Sequence, residues 1–405
     1  MDLATFYENF RLLSDAPNGV KMLREMILQL AVQGKLVPQD TNDEPASVLL
    51  EKIKAEKARL VKEGKLKKSM PLPPIEAGEV PFEVPAEWEW VRLGSMALRI
   101  GSGSTPRGGK SVYVDDGVPF LRSQNVWNSG LMLSNVALIP PSIHRKMKNT
   151  HVLPGDILLN ITGASLGRCA LVSSDFGEAN VSQHVSIIRT VAPETRRFLH
   201  GAMRSPFVQS MVWGRQVGMA REGLSKKVLE LFELPVPPLA EQHRIVAKVD
   251  ELMALCDELE ERQVRQVEVR GKANGAALDR LLNATDADDF AHHWQRICDH
   301  FDILYDNPDN VAELRMAILQ LAVQGKLVPQ DPNDEPVDSF LRRLVRADRW
   351  PNPATTKTSG REKSPDNIAG QSAIAVGDLR LREVSGWKWM PLLHLARLES
   401  GHTPS

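Results

Sequence analysis

The first pattern of hydrophobic and polar positions lies near the N-terminus. Between residues 19 and 33, apolar side chains recur at helical spacing, at Val20, Leu23, Met26, Ile27 and Leu30. This spacing predicts an amphipathic helix, which Gly34 is placed to end as the residue just past the C-cap. Residues 46–66 predict a second helix, rich in lysine and glutamate. The prolines of residues 70–87 exclude regular structure and mark a boundary.

The pattern changes at Trp88 and stays changed to about residue 235. Short apolar runs alternate with glycine, serine, asparagine and proline, and these runs are 118–121, 156–161, 169–172 and 184–189. Such runs predict strands. Residues 195–213 and 222–232 predict helices. We therefore expect a strand-rich, mixed domain with long loops.

A long helix is predicted from about Ala240 to Leu282, after a proline-rich break at 235–239. Its apolar positions follow a heptad spacing and comprise Ile245, Val249, Leu252, Cys256 and Leu259. Such a stripe can pack on its own domain. A helix of about 40 residues, however, is about 60 Å long. Because this exceeds the domain, we expect part of it to contact another element or another chain.

The chain contains an internal repeat. Residues 27–45 and 318–336 match at eighteen of nineteen positions, and only Thr41 and Pro332 differ. A weaker similarity links the run PAEWEW at 85–90 with SGWKW at 385–389. We interpret this as the duplication of a half-protein, with one complete unit and the opening of a truncated second one.

These patterns predict an α+β fold, in which a strand-rich domain precedes a long coiled-coil-type helix. An N-terminal helical region is predicted at 1–69 and a proline-rich linker at 70–87. The strand-rich domain follows at 88–238, the long helix at 239–283, and a helical region that repeats the N-terminal one at 284–345. A polar linker is predicted at 346–384 and the start of the second unit at 385–405.

Charge is unevenly distributed, although the formal net charge is −1. Residues 97–230 hold 16 Lys and Arg against 8 Asp and Glu, whereas residues 233–311 hold 8 against 17. A basic block is typical of a protein that binds a phosphate backbone. We expect a cytoplasmic location, because there is no signal-peptide pattern and the three cysteines lack disulfide spacing.

Catalytic motifs fail on inspection. The run GASLG at 163–167 matches the G-x-S-x-G nucleophile elbow, but another strand is predicted after it, where a hydrolase needs a helix. The run GSGSTPRGGKS at 101–111 misses a Walker A motif, because Ser104 stands where glycine is required. The histidines show no metal-ligand spacing. We therefore expect neither a catalytic residue nor a metal site.

The combination of motifs closely resembles the specificity subunit of type I restriction–modification systems. The resemblance is carried by the repeated LQLAVQGKLVPQD, by PAEWEW at 85–90, by LPGDILLNITGASLGR at 153–168, by NVSQHVSIIR at 180–189 and by the run at 234–260. It implies that residues 88–238 are a target-recognition domain that binds one half of a split DNA site. It also implies that the long helix sets the spacing to a second such domain.

The resemblance further implies the partners and cofactors of the complex. Double-stranded DNA, methyltransferase subunits and nuclease subunits would bind this chain. S-adenosylmethionine, ATP and Mg²⁺ would serve those partner subunits. Because the second unit is truncated, we expect the seam of Ile245, Val249, Leu252, Cys256 and Leu259 to face water. Two copies would then pair antiparallel through it and recognise a symmetric, interrupted site.

Candidate DNA contacts follow from side-chain chemistry, because arginine and lysine suit guanine and phosphate and asparagine and glutamine suit adenine. The candidates are Ser102, Ser104, Thr105, Arg107, Lys110, Arg122, Gln124, Asn125, Asn160, Thr162, Ser165, Arg168, Gln183, His184, Arg215, Arg221, Ser225, Lys226 and Lys227. For Asn160, Thr162 and Gln183, hydrogen bonding to buried backbone groups is an equal alternative.

Alternative functions stay open at this point. One is a serine hydrolase that uses Ser165, with His184 as its base. Another is a coiled-coil interaction protein with no role at DNA, and a third is an inactive remnant.

Overall fold

The computed structural model describes residue 16 and residues 18–68, 70–216, 223–328, 331–346 and 387. The chain divides into two compact units, Met1–Arg262 and Gln263–Ser405. Apart from residues 346 and 387, the predicted linker at 346–384 and the predicted start of a second unit at 385–405 lie outside the described residues.

The first unit combines helices with short strands. Its helices are α1 (Gly19–Val32), α2 (Ala46–Lys62), α3 (Leu93–Met96), α4 (Pro141–Lys146), α5 (Arg196–Arg204), α6 (Pro206–Gly214), α7 (Lys226–Glu230) and α8 (Leu239–Leu282), the last of which continues into the second unit. Its strands are β1 (Glu89–Arg92), β2 (Ala97–Ser102), β3 (Val118–Leu121), β4 (Val126–Trp127), β5 (Gly130–Leu131), β6 (Ala137–Ile139), β7 (His151–Val152), β8 (Ile157–Asn160), β9 (Cys169–Leu171), β10 (Ala179–Val181), β11 (Val185–Thr190) and β12 (Glu233–Val236). The predicted α+β class is confirmed.

Two four-stranded sheets form the centre of this unit. One has the order β2-β11-β8-β9 and is antiparallel throughout. The other has the order β6-β3-β10-β7, with β10 parallel to β3. The hairpin β4-β5 and the pair β1-β12 complete the strands of the described residues.

The central strand β8 of the first sheet is buried on both faces, which explains its continuous apolar run at 157–159. Successive side chains of β8 point to opposite faces. Ile157 and Leu159 pack in a core with α5, α6 and α7. Leu158 packs instead in the core between the two sheets. A strand with two buried faces has no polar side to alternate with.

The N-terminal helix ends as its sequence predicts. Gly34 has a φ of +67°, and a Cβ there would lie 2.6 Å from the ring of Pro85. Only glycine combines this left-handed backbone with such close packing. The apolar face of α1 packs on the first half of α8, where Leu23 and Ile27 share a core with Leu252.

The expected exposure of the heptad seam is wrong. Ile245, Leu252 and Cys256 are buried in the core shared with α1, and Val249 and Leu259 pack against that core. Arg24 of α1 also pairs with Asp257, at 2.7 Å. The N-terminal helical region therefore covers the seam, and residues 245–259 present no free apolar stripe to a second copy of the chain.

The strand-rich domain is attached to α8 where its chain enters and leaves. Strand β1 pairs antiparallel with β12, so the entering and leaving chains lie side by side. Trp88 donates from Nε1 to Glu241 Oε2, at 2.8 Å, and Gln39 donates to the other oxygen of the same carboxylate. Arg244 pairs with Asp43 at 2.6 Å. These bonds join the N-terminal region, the strand-rich domain and the start of α8 at one point.

The second unit repeats part of this arrangement on the last turns of α8. Its further helices are α9 (Ala287–Asp299), α10 (Phe301–Leu304), α11 (Pro308–Val323) and α12 (Val337–Arg346). Leu314 and Leu321 of α11 share a core with Leu278 and Leu281 of α8. Leu319 and Val323 of α11 are 61% and 53% exposed, although their repeat partners Leu28 and Val32 are 4% and 1% exposed.

We expect Glu241→Ala to lower the free energy of unfolding by about 1–3 kcal/mol, because it leaves the buried indole N–H of Trp88 without an acceptor.

Glu241→Gln keeps an acceptor oxygen. Burial raises the pKa of the Glu241 carboxyl, against the hydrogen bonds from Trp88 and Gln39 that lower it. A raised pKa means that the wild type loses stability as pH rises through it. As pH rises through the pKa of Glu241, the free energy of unfolding of Glu241→Gln should therefore increase relative to that of the wild type, as measured by urea unfolding. If the difference between the two proteins stays the same over this pH range, the prediction is contradicted.

We expect Leu252→Ala to destabilise the first unit by about 2–5 kcal/mol, as for a core leucine. Analytical ultracentrifugation should show the same oligomeric state as for wild type, because α1 of the same chain covers this position. Val267→Ala, at an exposed position of the same helix, is the matched control. Loss of a dimer with little loss of stability would show that the seam serves a second copy.

Candidate nucleic-acid interface

Four loops meet at one end of the two central sheets. Strands β2 and β8 end there, and β9 and β11 begin there, because Ser102 pairs with Ser186, Asn160 with Val185, and Leu159 with Cys169. The parallel strands β3 and β10 end at the same place, since Ser182 donates to the carbonyl of Leu121. We call the residues 102–108, 122–125, 161–168 and 182–184 the loop end.

Backbone hydrogen bonds hold these loops together. Gly103 donates to the carbonyl of Val185, and Ser104 donates to that of Val181. A Cβ at Gly103 would lie 1.9 Å from the carbonyl oxygen of Val181, so only glycine can stand there. Ile161 donates to the carbonyl of His184. The loops therefore form one connected surface, although the sequence separates them by up to 80 residues.

Several candidates are exposed on this surface. The exposed side chains are those of Ser102, Ser104, Thr105, Arg107, Gln124 and Gln183. They offer hydroxyl, amide and guanidinium groups. Such groups form hydrogen bonds with phosphate oxygens and with base edges. The structure thus brings together candidates from three separate parts of the sequence.

Arg168 stacks on an indole that the sequence analysis missed. Its guanidinium carbon lies 3.6 Å from the ring centroid of Trp127. Trp127 donates from Nε1 to the Gln124 carbonyl at 2.7 Å, and Asn128 Oδ1 accepts from the backbone N–H of Cys169. These bonds fix the β4-β5 hairpin against β9. The signal in the sequence was a tryptophan directly before Asn-Ser-Gly, a run typical of a tight turn.

Two asparagines proposed to contact DNA are structural instead. Asn125 is 2% exposed. Its Oδ1 accepts from the backbone N–H of Arg122, and its Nδ2 donates to the carbonyl of Met132. Asn160 is fully buried and donates to the carbonyl of Ser123 at 2.8 Å. Both side chains order the loop 122–125, and both are buried away from the surface of the loop end.

The G-x-S-x-G run lies between two strands. Gly163–Ser165 form a single 3-10 turn after β8, and β9 begins at Cys169, so no helix follows the serine as an elbow requires. His184 Nδ1 lies 2.7 Å from Thr162 Oγ1, and its Nε2 contacts the Gln183 amide at 3.5 Å. Ser165 is half-buried and has no hydrogen bond to His184 among the bonds of the described residues. This geometry does not favour the hydrolase alternative.

Arg215 has a structural role. It pairs with buried Glu233 at 2.7 Å and lies over the ring of Phe232. Glu233 also pairs with Arg92, which in turn bonds Glu79 at 2.6 Å. This network stabilises the β1-β12 closure, so Arg215 is already engaged in an ion pair within the domain.

The basic residues around α7 differ in availability. Residues 223–224 join the loop end, because Leu224 donates to the carbonyl of Ile161. Ser225 caps α7 by accepting from the N–H of Val228. Lys226 pairs with Glu230 at 3.3 Å, whereas exposed Lys227 has no ion pair within the described part of the chain.

Three further candidates are less free or cannot be placed. Arg122 is half-buried, with its guanidinium carbon 5.8 Å from the ring centroid of Tyr113. Arg221 and the side chain of Lys110 lie outside the described residues.

The described residues contain neither a candidate metal site nor a candidate membrane-spanning helix. No three or more His, Cys, Asp or Glu side chains in this part of the chain are grouped to hold a metal ion. Among its helices, none is both long and apolar enough to span a membrane.

The sequence of this chain is similar to those of known proteins. Residues 85–269 match the type I restriction modification DNA specificity domain. The chain is 37% identical to the specificity subunit of the type I restriction enzyme EcoAI from Escherichia coli, over 81% of this chain and 55% of the relative. It is 36% identical to the EcoEI specificity subunit of the same species, over 80% of this chain and 54% of that one. The chain thus spans about half the length of these curated relatives.

Solved structures show weaker similarity. The HsdS subunit from Thermoanaerobacter tengcongensis is 21% identical over 60% of this chain and 51% of that chain, with a TM-score of 0.36. The S subunit of a type I system from M. genitalium is 16% identical, with a TM-score of 0.29, over 51% of this chain and 48% of that chain.

The domain match and the two related sequences define the class of this protein. Residues 85–269 are a DNA specificity domain of the type I restriction–modification kind. Over about four fifths of its length, the chain is related to type I specificity subunits.

We expect Asn125→Ala to lower the free energy of unfolding by about 1–3 kcal/mol, since it leaves two backbone groups without partners. Gln124→Ala removes a neighbouring but exposed side chain and should change stability by less than about 0.5 kcal/mol. Equilibrium unfolding in urea compares the two. Equal stability of both variants would return Asn125 to the candidates for DNA contact.

Proposed function

We propose that this chain is the DNA-binding specificity subunit of a type I restriction–modification complex. In this proposal residues 88–238 recognise one half of a split target, and partner subunits carry out adenine methylation and restriction. The observation that carries the proposal is the loop end, where exposed polar and basic side chains from three separate loops meet within a specificity domain. The basic character of residues 97–230 supports it, because phosphate contacts dominate DNA affinity.

The proposal assigns no reaction to this chain. The modification and restriction subunits are the proposed partners of this chain, and S-adenosylmethionine, ATP and Mg²⁺ are assigned to those subunits. Ser165 stands in a strand-turn-strand segment, which argues against covalent catalysis. Pairing of two copies through Ile245, Leu252 and Cys256 is not part of the proposal, because α1 buries these residues.

Different residues of this surface have different proposed roles. Lys227 and Arg107 suit the phosphate backbone, because both are exposed and carry a full charge. Gln124 suits a base edge, since an amide can pair with the N6 and N7 groups of adenine. Arg168 is held flat against Trp127, and this restraint lowers the conformational freedom that it would lose on binding.

The decisive experiment combines the full chain with its modification subunit and a DNA library, and maps the methylated sites by sequencing. We expect methylation at one sequence motif. Methylation without any sequence preference, or a complex that binds no DNA, would contradict the proposed function. Ser165→Ala should leave the methylation pattern unchanged, whereas the hydrolase alternative gives Ser165 an essential role.

We expect Lys227→Ala to weaken binding to all duplexes alike and to reduce the slope of log K against log salt by about 0.9, the value for one phosphate contact. Gln124→Ala should instead reduce the preference at one base pair, by about 1–3 kcal/mol. Fluorescence anisotropy over a salt series measures both effects. Lys52→Ala, at an exposed lysine of α2, is the control. If Lys227→Ala leaves the salt slope at the wild-type value, Lys227 does not contact DNA.

A further inference from the structure

A cavity of about 300 Å³ lies beside the recognition domain, within the first unit. Its walls come from α1, α5, the first half of α8, the β4-β5 hairpin and β9. It lies behind the hairpin that carries Trp127, and is separate from the exposed residues of the loop end. The proposed function assigns nothing to this space.

Arg204, the last residue of α5, lines the cavity. Its Nε atom is buried without a hydrogen-bond partner, and no carboxylate pairs with its guanidinium among the described residues. Arg99 and Arg122 likewise have a buried Nε without a partner, but neither lines this cavity. Other poorly exposed arginines of this unit are paired with carboxylates. Arg189 pairs with Asp156, and Arg92 with Glu79 and Glu233. A largely buried cation without a counter-charge is an exception that calls for a partner.

The groups around Arg204 do not neutralise it. Burial lowers the pKa of its guanidinium, and Arg24 acts in the same direction. Cys169 is the one group that acts in the other direction, but burial raises the pKa of its thiol to about 12, so it carries no charge at neutral pH. Burial also lowers the pKa of His200 to about 4. The carboxylate of Asp250, which also lines the cavity, pairs with Arg197. Among the described residues, none therefore supplies a counter-charge to Arg204.

His200 adds a hydrogen-bonding group of known orientation. Its Nε2 lies 3.3 Å from the carbonyl oxygen of Cys169, and a carbonyl can only accept. The neutral ring therefore carries its proton on Nε2 and leaves Nδ1 as an acceptor.

The rest of the lining is mainly apolar. Leu28 and Val32 come from α1, Phe198 from α5, and Ile245 and Val249 from α8. At the rim, Arg197 already pairs with Asp250 at 2.7 Å. A pocket with apolar walls and a few convergent polar groups is the usual form of a small-molecule site, and about 300 Å³ is the lower end of the usual size.

We propose that this cavity binds a small organic acid, whose carboxylate lies on the guanidinium of Arg204 and whose apolar body packs against Phe198, Leu28 and Val249. A guanidinium can donate two parallel hydrogen bonds to a carboxylate, which gives both strength and orientation. The ligand would contact α1, α5 and α8 together. Its binding therefore stabilises the attachment of the recognition domain to the long helix, because a ligand that binds the folded state alone raises stability.

The test uses the full chain, with benzoate as the probe and benzamide as its uncharged analogue. Isothermal titration calorimetry should show saturable binding of benzoate, and the melting temperature should rise with benzoate concentration. Benzamide should bind at least about tenfold more weakly, since it lacks the charge. Equal binding of the two, or no saturable binding of benzoate, overturns the proposal. Inorganic phosphate carries negative charge but has no apolar body. If it binds as tightly as benzoate, the proposed contact of the ligand's apolar body with the cavity walls is overturned.

Two variants locate the site. Arg204→Met removes the charge at similar length and should abolish benzoate binding, whereas Arg145→Gln, at an exposed arginine of α4 outside the cavity lining, should keep it. A Cβ at Gly201, which also lines the cavity, would meet only Leu28, at 3.9 Å. Gly201→Leu should therefore fill the cavity without loss of the fold and abolish binding even if Arg204→Met fails to fold. Retained binding in Gly201→Leu overturns the proposal. Because the readout needs no DNA, its result is independent of the proposed function.

Discussion

The packing of α1 on the first half of α8 is the contact on which the rest of the first unit depends. A 44-residue helix cannot bury its apolar stripe by folding back on itself. Leu23 and Ile27 of α1 cover Leu252, and Trp88 and Phe198 of the recognition domain join the same core. The domain thus gains a rigid support. Its own two ends are held together by the β1-β12 pair and by the bonds to Glu241.

This support explains how short loops can serve as a recognition surface. The loops of the loop end are held by backbone bonds to the ends of buried strands, and buried side chains such as Asn125 and Asn160 order the loops from within. The exposed side chains between these anchors can then differ without loss of the fold. That division suits a domain whose task is to recognise one DNA sequence, since function resides in loops placed by a rigid scaffold.

Much of the candidate surface could be predicted because polar residues followed each predicted strand. The sequence could not predict which of them are exposed. Asn125 and Gln124 are neighbours of similar chemistry, yet one is buried and the other exposed, because the turn after β3 aims one side chain inward. Arg215 looked as free as Lys227, but it pairs with Glu233 of β12, which lies further along the chain. Trp127 was missed because its stacking partner, Arg168, is far away in the chain.

The repeat separates what the sequence determined from what the tertiary structure decided. Both copies form a helix that ends at a left-handed glycine, Gly34 at φ +67° and Gly325 at φ +66°. Helical spacing and a glycine at the end are local properties, so the sequence alone determines them. Burial is not local. Leu28 is covered in the core of the first unit, whereas Leu319, in an almost identical segment, is exposed to solvent. Only the tertiary structure decides this difference, because burial depends on which other elements of the fold reach the same helix face.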